Sequence, residues 1–439
     1  MRPRPMLTTA DAVALMVGLV VGVGIFRAPQ LVAEHTGAGW LFVVAWVLGG
    51  LVSLVGALCY AELATTYPDA GGEYHFLARA FGPRLGFLFG WSRLTVIQSG
   101  SIALLAFVFG DYLAPLLPWG ERASPALAAA AVAALTAVNV AGVRYGSRTQ
   151  NVLTVVEVLG LVLVIAAGFL AGGPQAAARP PDPDPAPAAF GLAMVFVLLT
   201  YGGWNETAYV SAELKGERSV GHALLLGIGL ITLLYVLVNL AYLAGLGLEG
   251  VAASSVVAAD LLRVAVGPGA ATALSLLVAL SAASSVNATI MTGARSAYAL
   301  GRDCPRLGAL ARWRAGREAP VNALLVQGAI ALALVGFGAV ARRGFEAMVA
   351  YTAPVFWFFF LLTGVSLVVM RRRDPGRPRP FRVPLYPLVP LLFCASAAFM
   401  LYSSLRYAGA GAWLGVAVML TGVPLLATMR PRPPAAGAP

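Results

Sequence analysis

The stretch 18-GLVVGVGIF-26 decides how the rest of the chain reads. It sits inside an apolar run long enough to cross a bilayer, yet Gly22 and Gly24 lie two apart beside a valine run. Each glycine costs roughly 0.5–1 kcal/mol relative to alanine in a helix interior. A continuous span would hold alanine or leucine there. The pattern is that of a helix weakened at mid-membrane.

Working outward, the 439 residues are 59% hydrophobic and 11% charged, with mean hydropathy +0.82. Apolar stretches of about 20 residues, the length that spans a bilayer, recur along almost the whole chain. They place spans at 11–35, 38–63, 86–112, 124–141, 149–172, 188–213, 221–246, 269–299, 321–340, 347–370, 385–407 and 410–429. The fold class is therefore an all-α polytopic membrane protein of about 12 transmembrane helices. A net charge of +11 raises the question of nucleic acid. With both termini cytoplasmic, however, most arginines fall in the inner loops, above all in 300–320 and 371–384, as the positive-inside rule requires. The charge reports topology, with anionic lipid as a secondary partner, and nucleic acid is not expected.

Cys59, Cys304 and Cys394 make no disulfide framework, and the amino terminus reads as a retained helix without a cleavage site. The proline- and aspartate-rich segment 172–189 reads as an extended connector. The external segment 247–268 leaves room for short helices, and 70–87 has the spacing of an interfacial helix. No nucleophile–base pair, phosphate loop, metal cluster or cofactor motif is present, so no enzyme is expected. His35, His75 and His222 are scattered near span ends.

A second interruption, Gly202–Gly203 in 196-FVLLTYGGWNETAYVSAEL-214, sits mid-way along the sixth span, five spans after the first. Glycine breaks at matching places in two halves point to a transporter built from inverted repeats, here 11–172 and 188–370, followed by two additional helices in 385–429. Taken singly, each pair also fits close helix packing. Unwound backbone survives at membrane depth only where protein or a polar cavity covers it. The half-helix starting near Ile25 would aim free N–H groups and a positive dipole end at a carboxylate. The half-helix ending near Val20 or Val21, together with carbonyls of Leu199, Thr200 and Gly202, would suit an ammonium. The pair of breaks matches the head of an amino acid.

Five ordered stretches extend that reading: "GVGIF", "VGALCYAELATTYPDAGGEY" (55–74), "YGGWNETAYVSAELK" (201–215), "SSVNATIMTGARSAYALGRD" (284–303) and "RPRPFRVPLYPLVP" (377–390). Through them the chain resembles the amino acid–polyamine–organocation (APC) superfamily over nearly its whole length, most of all bacterial permeases and L-type exchangers. The resemblance implies a single transporter domain with a LeuT-type 5+5 inverted repeat, broken helices 1 and 6, and alternating access. It also implies carboxylate contacts at Val23 and Gly24 beside Gly22, and amine contacts at Val20, Leu199 and Gly202. Gly203, Trp204 and Asn205 would shape the second break, and Ser285 and Thr289 would face the first helix.

Three departures stand out. Val23 replaces the serine common in the family, and Leu199 stands where many relatives carry an aromatic gate. Glu157 occupies the fifth-helix position at which many sodium-independent relatives hold a lysine; the chain's only lysine is Lys215. Glu157 reads as the group that loads and releases a coupling proton, as a structural partner of Arg93 or Arg295, or as a residue snorkelling to the inner interface, since an intramembrane carboxylate is costly unless protonated, paired or hydrated. Ser284, Ser285 and Thr289 read either as cation ligands, which keeps Na+ open beside H+, or as back-bonded packing residues. Glu206 fits the pocket or a vestibule, Glu213 a structural role, and Glu62 the ordering of an inner loop.

The expectation is an amino acid permease of the inner or plasma membrane for small neutral or apolar substrates, working as a proton symporter or exchanger. A non-transporting sensor and a polyamine or organic cation carrier are the alternatives. The loop "APLLPWGERAS" holds no cysteine, so no disulfide-linked accessory subunit is expected.

Overall fold

A computed structural model describes residues 7–22, 24–69, 71–171, 187–214, 219–254, 256–267, 269–314, 316–341, 344–407 and 409–428. Val23, Lys215 and the connector 172–186 lie outside the described residues. The described chain is almost wholly helical: α1 (Thr9–Val20), α2 (Gly24–Thr36), α3 (Gly39–Thr66), α4 (Glu73–Phe81), α5 (Pro83–Ser92), α6 (Gln98–Leu113), α7 (Ala123–Ala141), α8 (Val143–Leu170), α9 (Pro187–Thr200), α10 (Ser219–Ala253), α11 (Val257–Val266), α12 (Ala270–Asp303), α13 (Val321–Ala341), α14 (Gly344–Arg373), α15 (Leu388–Tyr407), α16 (Gly409–Leu420) and α17 (Gly422–Thr428).

Among the described residues, nine helices are long and apolar enough to cross a membrane. The other three expected spans are each interrupted. Span 11–35 becomes α1 and α2, span 188–213 becomes α9 and a 3-10 segment Trp204–Glu213, and span 410–429 becomes α16 and α17. The third span also departs from a plain helix, since α5 runs into α6 through one π-helical turn, Arg93–Ile97. Between the long helices, α4 falls in 70–87, where an interfacial helix is expected, and α11 is a short helix in the segment 247–268.

The helices sort their surfaces in the inverse of a soluble protein. On α8, Val152, Val155, Leu159 and Leu163 are exposed, as befits a lipid-facing stripe, while Gln150, Thr154 and Glu157 are buried. Positions 150, 154 and 157 lie on one face by helical spacing. The polar face therefore turns inward, where hydrogen-bond partners replace water.

Long helices pair along their lengths, α3 with α10 and α6 with α12. The two broken spans run side by side: α2 packs along α9, and α1 along Trp204–Glu213. Leu7, two residues before α1, completes this pairing by donating its N–H to Glu213 O at 2.9 Å.

Candidate functional site

The two breaks touch. A Cβ on Gly24 would stand 2.8 Å from Thr200 Cγ2 and 3.2 Å from Thr200 Cα. The first distance is shorter than real Cβ contacts, so any side chain at 24 would have to displace Thr200. Gly203 adopts φ +111°, a left-handed conformation that L side chains rarely take, and its Cα faces the Leu19 carbonyl across the break.

The peptide groups at the breaks are partly committed. The Val20 carbonyl accepts the Gly22 N–H at 2.7 Å and the Tyr235 hydroxyl at 2.5 Å. The Leu199 carbonyl accepts the Gly202 N–H at 3.1 Å, and Tyr235 also lies 3.2 Å from the Thr200 carbonyl. Tyr235 on α10 thus bridges the two broken spans. It was not singled out in the sequence, although a tyrosine inside the run "LLYVLVN" is a polar handle at membrane depth. The first N–H groups of α2, at Gly24, Ile25 and Phe26, have no intrahelical acceptor because no turn precedes them. Ile25 is fully buried.

The side chains around the second break separate in direction. Leu199 is 46% exposed, so its side chain points away from the break rather than over it. Thr200 turns its hydroxyl back to Phe196 O at 2.8 Å. Trp204 points towards α3, α14 and α15: its ring meets Tyr60, Phe360 and Phe393, and only a glycine at 56 leaves space for it. Beside it a cavity is bounded by Val52, Ser53, Phe356, Trp357 and Met400, with Gly202, Gly203 and Asn205 at one end.

Glu157 resolves differently from its structural alternative. It is fully buried and meets neither Arg93 nor Arg295; its Oε1 contacts the Ser281 hydroxyl, Ser284 stands beside it, and among the described residues Oε2 has no hydrogen-bond partner within normal geometry. Ser281 in turn lies 2.9 Å from the Val21 carbonyl. A polar ladder continues below. Gln150 donates to Ser284 at 2.9 Å, Thr154 to Ala14 O at 3.0 Å, Ser285 to Gly18 O at 2.8 Å, and Asn287 links Gln150 to Asn139. Thr289 is back-bonded to Ser285 O at 2.7 Å, the packing alternative for that residue.

The arginines belong to other pairs. Arg93, fully buried on the π turn, donates to Glu206 at 2.5 Å and to Ser296 at 3.1 Å, and sits 3.6 Å from Glu73. Its guanidinium stacks 3.8 Å from the Tyr209 ring centroid. Glu73 also accepts from Tyr60, from Tyr209 at 2.7 Å and from Asn205 at 3.0 Å. Asn205 therefore leans on a buried ionic cluster rather than on α1. Arg295 pairs with Glu213 on the same side of the bundle. Glu62 holds Arg371, Arg379 and the Val383 N–H, tying α3 to the loop after α14. The sequence offered each charge, but no spacing shows which helices bring them together. Among the described residues no group of three metal-binding side chains occurs.

Comparison with known proteins gives the family. Residues 7–424 match the family model described as amino acid permease. The chain is 32% identical over 430 residues to the large neutral amino acids transporter small subunit 2 of Mus musculus, covering 94% of this chain and 79% of that protein. It is 31% identical over 401 residues to the mouse b(0,+)-type amino acid transporter 1, covering 89% and 80%, and 31% identical over 429 residues to the mouse Asc-type amino acid transporter 1, covering 94% and 79%. The first relative's name makes it a subunit of an assembly. The expectation drawn from a loop without cysteine concerns one disulfide and does not speak to other modes of assembly. The spans, the breaks and these relatives together make the chain a multi-pass membrane protein that belongs to the amino acid permease family.

Proposed function

We propose that the protein carries neutral, apolar amino acids across the cell membrane by alternating access, binding them between its two broken spans. The observation that carries this reading is the contact between the breaks at Gly24 and Thr200, which brings a helix start and a helix end to one point at membrane depth. The N–H groups opening α2 and its positive dipole end suit the substrate carboxylate. Carbonyls of Leu19, Leu199 and Gly202 suit the ammonium, since those of Val20 and Thr200 already face Tyr235.

The two repeats are 11–172 and 188–370, with 385–429 as added helices. The pairing of α3 with α10 and of α6 with α12 is what two halves related by a pseudo-two-fold would give. Coupling is by protons, carried on Glu157, which among the described residues has no cation beside it. The relatives' names, which cite large neutral and other amino acids, support the substrate class.

The test is uptake of labelled leucine, phenylalanine, alanine and putrescine into proteoliposomes, with and without an inward pH gradient. Accumulation of the neutral amino acids that rises with the gradient is expected. Glu157→Gln should lose the gradient dependence and keep exchange. Binding of amino acid without any flux would make the protein a sensor, and uptake of putrescine alone would make it a polyamine carrier.

A further inference from the structure

Ser281 faces two acceptors at once. Its hydroxyl lies 2.9 Å from the Val21 carbonyl at the end of α1 and in hydrogen-bond contact with Glu157 Oε1. A hydroxyl has one proton and two lone pairs, while a carbonyl and a carboxylate only accept. Both contacts are hydrogen bonds only if Glu157 is itself a donor. Glu157 then gives its proton to Ser281 Oγ, and Ser281 gives its own to Val21 O.

We infer that Ser281 is a one-proton switch that ties α1 to α12 at the first break only while Glu157 holds its proton. When Glu157 releases that proton to water on the open side, the carboxylate becomes an acceptor. Ser281 then turns its single proton to Glu157, and the Val21 carbonyl loses its donor. No bond other than these O–H contacts is made or broken, and the proton returns from water when the site reloads. Ser281 is thus a positioning residue that converts protonation into freedom of the α1 end.

The surroundings suit this role. Glu157 is fully buried on α8, which packs against α1, α7, α10, α11 and α12. The titratable group facing it from α10 is Tyr235, and Ser284 of α12, held by Gln150, is its remaining polar neighbour. Asp11 of α1 is bonded to Asn151 and Thr8, Asp260 of α11 to Ser254 and Arg263, and Arg295 of α12 to Glu213. None of these brings a counter-charge to Glu157. A second tether between α12 and α1, Ser285 to Gly18 O, involves no titratable group.

The inference deepens the proton-coupling reading above, but its readout needs no substrate. Infrared difference spectra of the purified full-length protein, recorded between neutral and alkaline pH, should contain a protonated-carboxyl C=O band that is absent in Glu157→Gln. Ser281→Ala should shift that band to higher wavenumber, because the acid loses its acceptor, while Ser281→Thr keeps it in place. Hydrogen exchange of residues 18–26, corrected for intrinsic rate, should rise at alkaline pH in the wild type. In Glu157→Gln, whose amide still donates, it should stay slow.

A carboxyl band that survives Glu157→Gln, or one unmoved by Ser281→Ala, overturns the inference. Should Ser281→Ala not fold, Ser281→Cys, a poorer acceptor of similar size, must give a smaller shift of the same sign. Loss of the infrared signal leaves amino acid transport standing, and absence of transport leaves the switch standing.

Discussion

The hydroxyl of Tyr235 lies 2.5 Å from the carbonyl of Val20, the last residue of α1. The same hydroxyl reaches the Thr200 carbonyl, the last of α9, at 3.2 Å. A helix end leaves its final carbonyls without partners, and within a membrane no water is at hand to take them. The hydroxyl has a single proton to give, and the nearer carbonyl, Val20 O, takes it, so one tyrosine on a third helix caps the end of α1 while resting against the end of α9.

Tyr235→Phe removes that cap and leaves the ring in place. A buried acceptor that loses its donor costs about 1–3 kcal/mol, and Val20 O retains the Gly22 N–H, so the lower part of that range applies. The expected result is a lower melting temperature in detergent together with slower transport. A variant that melts and transports like the wild type would show that the hydroxyl holds nothing.

Gly24→Ala drives a methyl into Thr200, which lies 2.8 Å from where it would stand. Overpacking of this kind costs about 1–3 kcal/mol, and here it acts at the contact between the breaks. Transport should fall at least roughly tenfold, a loss of about 1.4 kcal/mol in the step that needs the contact. Adding Thr200→Ala should restore part of the rate. Equal rates for the single and double variants would mean that the contact is not what limits movement.

Arg93→Gln leaves Glu73 and Glu206 facing each other without their shared cation. Breaking a buried pair in this way costs about 3–5 kcal/mol. Thermal unfolding should show a large loss, and Arg93→Gln with Glu206→Gln should be less damaging than Arg93→Gln alone. A double variant worse than the single would place the cluster's energy elsewhere.

Glu73 gives a pH signature. It lies on α4, outside the spans, and burial, reinforced by Glu206, outweighs Arg93 and its hydrogen bonds and raises its carboxyl above the ordinary 4.5. With the folded value raised, the native state holds more protons than the unfolded one in the window above 4.5. The contribution of Glu73 is complete below that value and declines as pH rises through the folded one. Melting temperatures of wild type and Glu73→Gln should therefore diverge in favour of the variant as pH rises from 4.5. A gap that does not change with pH would contradict the assignment.

The breaks were legible in the sequence because glycine spacing is local: Gly22 and Gly24, and Gly202 and Gly203, sit where the chain comes apart. Their partners were not. Tyr235 reaches Val20 from 215 positions away, and Ser281 reaches Glu157 from 124. No periodicity within one helix encodes such meetings. Glu157 could be marked as costly from its apolar setting, but its direction depends on how α8 is rotated against α1 and α12. Arg93 and Glu206 were visible as charges in spans, and their pairing required the π turn that aims Arg93 inward. The second half of the sixth span reads as ordinary helix in sequence and is a 3-10 segment in the structure, where Gly203 at positive φ opens the segment and Asn205 and Tyr209 are drawn to Glu73.

The most direct test is a cryo-EM difference map of the protein in lipid nanodiscs with and without saturating leucine. Density for the amino acid should appear between residues 22–25 and 199–203, its carboxylate towards the start of α2. Leucine that is transported by the protein but bound elsewhere, with both breaks unoccupied, would contradict the account.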